Sequence, residues 1–292
     1  VTGAFASGAV WLDSLPRLIA ECEARWKITV GAPYSLSFNY VAPAVTSAGH
    51  AVVLKLGVPN NGLRSEIQAL EAYAGGAAVH LLDSDPERGI MLLERAQPGY
   101  ALASLADDDQ RTRAAAGVMR ELWRPLPPNL QFPTAPHQAA GLSDLRKTFQ
   151  GRTGPFPADL VDQAESLFRE LLSSQEPSVL LHGDLHHFNI LASQRRPWLA
   201  IDPKGLAGEP AYEVGALLRN PSPRLCTDTQ IQRRRVEVLH DELGFAKDRI
   251  LGWGLAQAIL SAWWNFEDSG TDWQWLCSCA EVLARLLAES KK

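Results

Sequence analysis

The chain has little cysteine, no excess of positive charge and no long apolar run, and each shortage removes a class of protein. Only Cys22, Cys226, Cys277 and Cys279 occur in 292 residues. Cys277 and Cys279 lie one residue apart, which is not a zinc-ligand spacing, and so few cysteines in so long a chain make no disulfide framework. Buried thiols in a reducing compartment are the expectation. The formal charge of -5 speaks against nucleic acid as a partner, because such binders usually carry a basic face. No stretch approaches the roughly 20 apolar residues of a membrane span. The opening residues, Val1-Thr2-Gly3-Ala4-Phe5-Ala6, lack the charged region and apolar run of a secretion signal. Internal repeats and low-complexity tracts are also missing. The expectation is a soluble cytoplasmic protein without a membrane partner. Oligomeric state leaves no mark on the sequence.

What is present is an ordinary globular composition, 46% hydrophobic and 21% charged, in a chain long enough for two lobes with their own cores. Val10, Leu12, Leu15, Leu18, Ile19 and Cys22 predict a helix over 10–25. Residues 36–41 and 51–56 predict strands joined by a turn at Ser47-Ala48-Gly49. Leu63, Ile67, Leu70 and Ala74 predict a helix over 63–74, and 79–83 and 90–94 read as short strands. Beyond Pro98-Gly99 helices dominate: 105–123, then a proline-rich loop over 123–136, then a helix marked by Leu160 to Leu172. A small β island follows at 179–181, 190–192 and 198–201. The end, from about 228 to 290, is helical again, with 250–266 its most apolar part. The pattern is α+β and does not alternate as a Rossmann fold does.

The chemistry concentrates in residues 179–205, where Asp184, Asn189 and Asp202 each adjoin an apolar, strand-like run. A hairpin over 190–201 would bring Asn189 and Asp202 together and turn both toward Asp184. One carboxylate beside an acceptor hydroxyl, plus an amide and a carboxylate as hard oxygen ligands, is what Mg²⁺-assisted phosphoryl transfer asks for. Taken singly, the three residues read as a turn, a cap and a strand end. A zinc site from His182, His186 and His187 is the rival reading. Adjacent residues of an extended chain point to opposite sides, however, and no H-E-x-x-H spacing occurs. His182 reads better as a brace for the loop backbone.

His182-Gly183-Asp184 with Asn189 resembles the catalytic loop of the aminoglycoside phosphotransferase branch of the protein-kinase-like fold. Asp202 is similar to that fold's metal-binding aspartate, though Pro203-Lys204 stands where protein kinases have Phe-Gly. Three stretches narrow the resemblance to the streptomycin 6-phosphotransferase and hydroxyurea phosphotransferase group: MLLERAQPG, HGDLHHFNIL with WLAIDPKGLAGEP, and SAWWNFEDSG. The resemblance implies a β-rich N-lobe over 1–96, a hinge at 94–98 and a mostly helical C-lobe over 97–292. The catalytic loop would be 182–189. ATP and Mg²⁺ are the implied cofactors, with Asp184 catalytic and Asn189 and Asp202 on the metal.

The same likeness implies the remaining roles. Lys55 resembles the lysine that pairs with the α- and β-phosphates, with Glu66, or else Glu71, as its acidic partner. Residues 38–49 would cover the phosphates, without the G-x-G-x-x-G of protein kinases. Glu94 and Ala96 would offer backbone groups to adenine. A guanidinium-bearing acceptor such as streptomycin would suit Trp264, Glu267 and Asp268, since carboxylates fork to guanidinium and an indole face attracts cations. Trp263 is the alternative ring, and both indoles are equally open to a reading as helix core. Hydroxyurea or another small metabolite is a second acceptor reading, and a nucleotide-binding module without turnover is a third. A protein acceptor fits poorly, because Gly208-Glu209-Pro210 follows Asp202 too soon to close an activation segment.

Overall fold

The computed structural model describes residues 2–35 and 39–290. The chain opens with helix α1 (Thr2–Trp26) and strand β1 (Ile28–Val30), followed by the hairpin β2 (Tyr40–Thr46) and β3 (Ala51–Leu56). Gly49 turns that hairpin at φ 86°, a conformation that favours glycine, and its N–H donates to Thr46 O at 2.8 Å. Helix α2 (Asn61–Tyr73) starts where the Asn60 side chain accepts the Leu63 N–H at 2.9 Å. Strands β4 (Leu81–Asp85) and β5 (Ile90–Glu94) complete an antiparallel sheet in the order β1-β2-β3-β5-β4. Side chains alternate across a strand. Leu54 and Leu56 therefore pack with Leu18 and Cys22 of α1, while Lys55 between them faces α2.

Two sequence expectations shift here. Residues 36–38 lie outside the described region, and the strand expected over 36–41 begins at Tyr40 and runs on to Thr46. The strand expected over 79–83 sits at Leu81–Asp85 instead. Residues 77–79 are drawn away: Ala200 N–H donates to Ala77 O at 2.8 Å, and Val79 N–H donates to Ala200 O at 3.0 Å. Those bonds tie the N-terminal sheet to the second body.

That body begins with β6 (Pro98–Ala101), α3 (Asp108–Leu122), β7 (Arg124–Pro125), α4 (Ala135–Thr148) and α5 (Ala158–Ser173). The β elements β8 (Val179–Leu181), β9 (Ile190–Ser193), β10 (Trp198–Ala200) and β11 (Leu206–Gly208) come next. Five helices close the chain: α6 (Val214–Leu218), α7 (Pro223–Cys226), α8 (Thr229–Leu243), α9 (Lys247–Ser269) and α10 (Gln274–Ser290). The β island is two sheets rather than one, β10-β9-β6 and β11-β8-β7.

Helix α9 is buried from Ile250 to Trp263 and packs against α5, α6, α8 and α10, so it is the spine of the helical lobe. Helix α4 escapes a periodicity reading because only Ala135, Leu142 and Leu145 of its residues are buried. All four cysteines are buried free thiols. No helix among the described residues is long and apolar enough to cross a membrane. The architecture is α+β with two lobes, one carrying the five-stranded sheet and the other mostly helical.

Candidate active site

The hairpin β9–β10 does the convergence that the sequence suggested. Its register pairs Ile190 with Ala200 and Ala192 with Trp198, and beyond the last pair Ile201 N–H donates to Asn189 O at 2.9 Å. Asn189 and Asp202 are thereby held side by side. Asp202 adopts φ 57°, a strained backbone for a side chain other than glycine, and that turn swings its carboxylate toward Lys55. Asn189 Nδ2 donates to the Asp184 carbonyl at 3.0 Å, so its Oδ1 is the end left for a ligand.

Lys55 is 3% exposed, and its Nζ lies 2.6 Å from Glu66 Oε1 and 3.1 Å from Asp202 Oδ1. Burial alone would lower the ammonium, but the two facing carboxylates outweigh it and raise it. Burial works in the opposite direction on Glu66, pushing its carboxyl up to about 7 against the pull of Lys55. The direction on Lys55 governs the cluster, because two carboxylates meet one ammonium. Glu71, the other candidate partner, is exposed on the same helix.

Asp184 follows Gly183, which takes φ 82°. Burial alone would raise its carboxyl, yet Lys204, His186, Arg219 and His182 together hold it at about 2. The Arg219 guanidinium donates to Oδ1 at 3.3 Å, and Lys204 Nζ lies 3.4 Å from Oδ2. The loop behind it is braced from below. Glu213, fully buried, accepts the His182 and Gly183 N–H groups at 2.7 and 2.9 Å. Its burial pushes its own carboxyl up to about 7. His182 spans the gap to β10, with Nε2 bonded to Ile201 O at 2.8 Å and Nδ1 accepting the Asp184 N–H at 3.3 Å. That pattern requires a neutral ring protonated on Nε2, and burial does hold the ring down at about 4. The brace is the one the sequence suggested.

The three histidines do not converge on a metal. His186 Nδ1 accepts the Phe188 N–H at 3.2 Å, and the His187 ring is buried with both nitrogens unpartnered. Among the described residues no group of three or more His, Cys, Asp and Glu side chains is placed to hold a metal ion. The oxygen set of Asn189 and Asp202 fits a different ion. One amide and one carboxylate suit Mg²⁺, which keeps several waters and takes the rest of its ligands from phosphates.

Lys55, Glu66, Asp184, Asn189 and Asp202 share one cleft of about 1120 Å³. Trp264, Asn265 and Asp268 of α9 line its far wall. Glu267 lies off that wall, exposed to solvent. Trp263 is 1% exposed and stacks with Phe266 in an aromatic cluster with Phe149 and Phe156, so it is a core residue. Glu94 and Ala96 sit where the sheet meets the helical lobe, apart from the cleft lining. The Glu94 carboxylate is taken up by Arg195 at 2.8 Å and by the His80 N–H at 2.9 Å. Three contributors escaped the sequence reading, namely Glu213, Arg219 and Gln257. Each lies outside the motif and reaches it only through packing. Residues 38–49 reach the cleft lining through Asn39, while Phe38 lies outside the described residues.

In fold the chain is similar to an aminoglycoside phosphotransferase crystallised in a ternary complex with ADP and hygromycin B. The TM-score is 0.66 at 16% identity over 91% of this chain and 97% of that one. It is similar also to a choline kinase from Streptococcus pneumoniae, with TM-score 0.63 at 14% identity over 94% and 99% of the two chains. The fold class is thus the protein-kinase-like one. Within that class the chain belongs to the aminoglycoside/hydroxyurea antibiotic resistance kinase family, whose model matches residues 25–269. A streptomycin 6-kinase from Streptomyces glaucescens is 33% identical over 89% of this chain and 86% of its own length. A hydroxyurea phosphotransferase from Kitasatospora aureofaciens is 32% identical over 90% and 76%.

Proposed function

We propose that the protein moves the γ-phosphate of ATP to a hydroxyl of an aminoglycoside, with streptomycin the acceptor the cleft suits best. One observation carries the reading. Lys55, Asp184, Asn189 and Asp202 bound one side of a single cleft whose other side presents Trp264 and Asp268. The lobes divide at 94–98, giving an N-lobe of 1–96 and a C-lobe of 97–292. Adenine lies against the backbone at Glu94 and Ala96, beside the cleft, where the Glu94 N–H is already taken by His80 O at 2.9 Å. Ala96 supports this, since its N–H and C=O make no hydrogen bond among the described residues.

Lys55, aimed by Glu66, pairs with the α- and β-phosphates. Asn189 and Asp202 would hold Mg²⁺, which supplies neutralisation of phosphate charge when bound. Asp184 accepts a hydrogen bond from the acceptor hydroxyl and points its oxygen at the γ-phosphorus. As the new O–P bond forms and the bond to the β-phosphate oxygen breaks, the hydroxyl proton passes to Asp184. A carboxyl held at about 2 is a weak base, which suits orientation first and proton acceptance late in the transfer.

The acceptor side carries negative charge. Asp268 lines the cleft there, and burial, then Asp144 and Asp268, raise the carboxyl of its neighbour Glu267. Such a mouth attracts a cation, and the Trp264 face adds cation–π attraction. The test is ATP consumption with streptomycin, hydroxyurea, a neutral sugar and an amino alcohol offered in turn. Streptomycin should stimulate turnover above the rest. Turnover with hydroxyurea alone would move the acceptor to the second reading. Nucleotide binding with no turnover on any acceptor would leave a binding module and end the proposal.

A further inference from the structure

Asp184 is not free in the cleft, and the two cations at its oxygens are held very differently. The Lys204 side chain is 70% exposed on a flexible stem, whereas that of Arg219 is 11% exposed. Arg219 stands at the C-terminal end of α6, and its Nη1 donates to Gln257 Oε1 at 3.1 Å. Gln257 is buried, and its Nε2 donates to the Tyr212 carbonyl at 2.6 Å. That bond decides which end of the amide faces the guanidinium. Helix α6 passes so close that a Cβ on Gly215 would meet the Gln257 amide at 2.4 Å. The guanidinium is therefore clamped at one end by α9 and spans to Asp184 Oδ1 at the other. Oδ1 is engaged by a buried guanidinium, whereas Oδ2 faces only the exposed Lys204 ammonium at 3.4 Å, so Oδ2 is the oxygen better placed to meet a hydroxyl.

Gln257 also begins a row. Leu260, Ser261, Trp264 and Asp268 follow it at helical spacing, and all line the same cleft. The row from Gln257 to Asp268 is about 16 Å long at about 1.5 Å per residue. One face of α9 thus carries both the acceptor wall and the support of the catalytic carboxylate.

We propose that Arg219 is a positioning residue for Asp184, anchored by Gln257, so that the acceptor-facing helix α9 sets the aim of the catalytic carboxylate. The proposal rests on the reading of Asp184 given above. Guanidinium suits the task because its planar fork binds two oxygens in fixed directions, which an ammonium does not do.

The test is a double-mutant cycle on streptomycin phosphorylation with Arg219→Met, Asp184→Asn and the pair combined. Arg219→Lys and Gln257→Leu accompany it, with melting temperature and affinity for Mg-AMP-PNP measured throughout. Arg219→Met should lower kcat about 10²-fold, the usual loss from misplacing a reacting group by about 1 Å. Nucleotide affinity should stay within about twofold, since Arg219 is not assigned to the nucleotide. Arg219→Lys should recover part of the loss. In the Asp184→Asn background, Arg219→Met should have no further effect.

A kcat for Arg219→Met within about twofold of wild type would overturn the proposal, as would equal fold-losses in both backgrounds. Loss of kcat together with weakened nucleotide binding would also overturn it, by showing a general structural role. Should Arg219→Met fail to fold, Arg219→Lys and Gln257→Leu carry the test, and wild-type kcat in both overturns it. Wild-type turnover by Asp184→Asn alone is a separate outcome that sinks the underlying reading.

Discussion

Replacing Glu66 with glutamine tests the ion pair to which the proposed function assigns the nucleotide phosphates. The Lys55 ammonium is met by Glu66 at 2.6 Å and Asp202 at 3.1 Å. A glutamine keeps the shape and one acceptor oxygen but removes a charge. Hydrogen bonds to charged groups contribute about 1.5–3 kcal/mol and neutral ones about 0.5–1.5, so the contact should weaken by about 1 kcal/mol. For a chain of this size that lowers Tm by about 1.5–2 °C.

The functional loss should be larger than the loss of stability. With only one full negative charge left beside it, the ammonium relaxes toward Asp202 and occupies the oxygen assigned to Mg²⁺. Displacing a positioning group by about 1 Å lowers the rate about 10²-fold. Glu66→Gln should therefore lower kcat/KM for Mg-ATP by about that factor and weaken Mg-AMP-PNP binding about tenfold, or about 1.4 kcal/mol. Thermal unfolding and isothermal titration calorimetry read the two effects separately. A Tm loss of the stated size with nucleotide affinity and kcat/KM unchanged would refute the reasoning. Lys55 would then be a structural ion pair and nothing more.

Two further outcomes follow from the geometry. The wholly buried His182 ring is held at about 4 against an ordinary 6.5, so the stability it contributes is complete above pH 6.5 and is lost as pH falls toward 4. Between about pH 7.5 and about pH 5, urea unfolding should show the wild-type protein losing about 2 kcal/mol more than His182→Gln; equal losses would place the titration elsewhere. On the acceptor side, Trp264→Ala and Asp268→Asn should each raise the streptomycin KM about tenfold with nucleotide affinity unchanged. Glu267→Gln, off the cleft wall, should change it by less than about twofold. Equal effects at 267 and 268 would redraw the wall.

Much of the fold was legible because its signals are local. The β3 strand and α2 helix came from side-chain period, and the turn at Ser47-Ala48-Gly49 from residues that tolerate left-handed backbone. The hairpin 190–201 was readable from two short apolar runs, 190–192 and 198–201. What escaped shows why reading stops there. Helix α4 buries three residues and carries almost no periodic signal. Strand β4 starts two residues late because backbone bonds to Ala200 claim 77–79. The β island divides into two sheets because β6, opened by the Pro98-Gly99 break, and β7, only two residues long, supply the extra partners.

By itself the sequence determined the α+β order, the loop 182–189 as the candidate catalytic loop and the pairing of Asn189 with Asp202, since each depends on residues close together along the chain. The tertiary structure alone decided that Glu66 and not Glu71 meets Lys55, that Trp264 and not Trp263 faces the cleft, and that Glu213, Arg219 and Gln257 support the loop. These choices turn on the rotation and depth of packed helices. A rotation of one residue, about 100° around a helix, separates a core indole from a cleft indole. No local pattern records that angle, because the neighbours that set it come from distant parts of the chain.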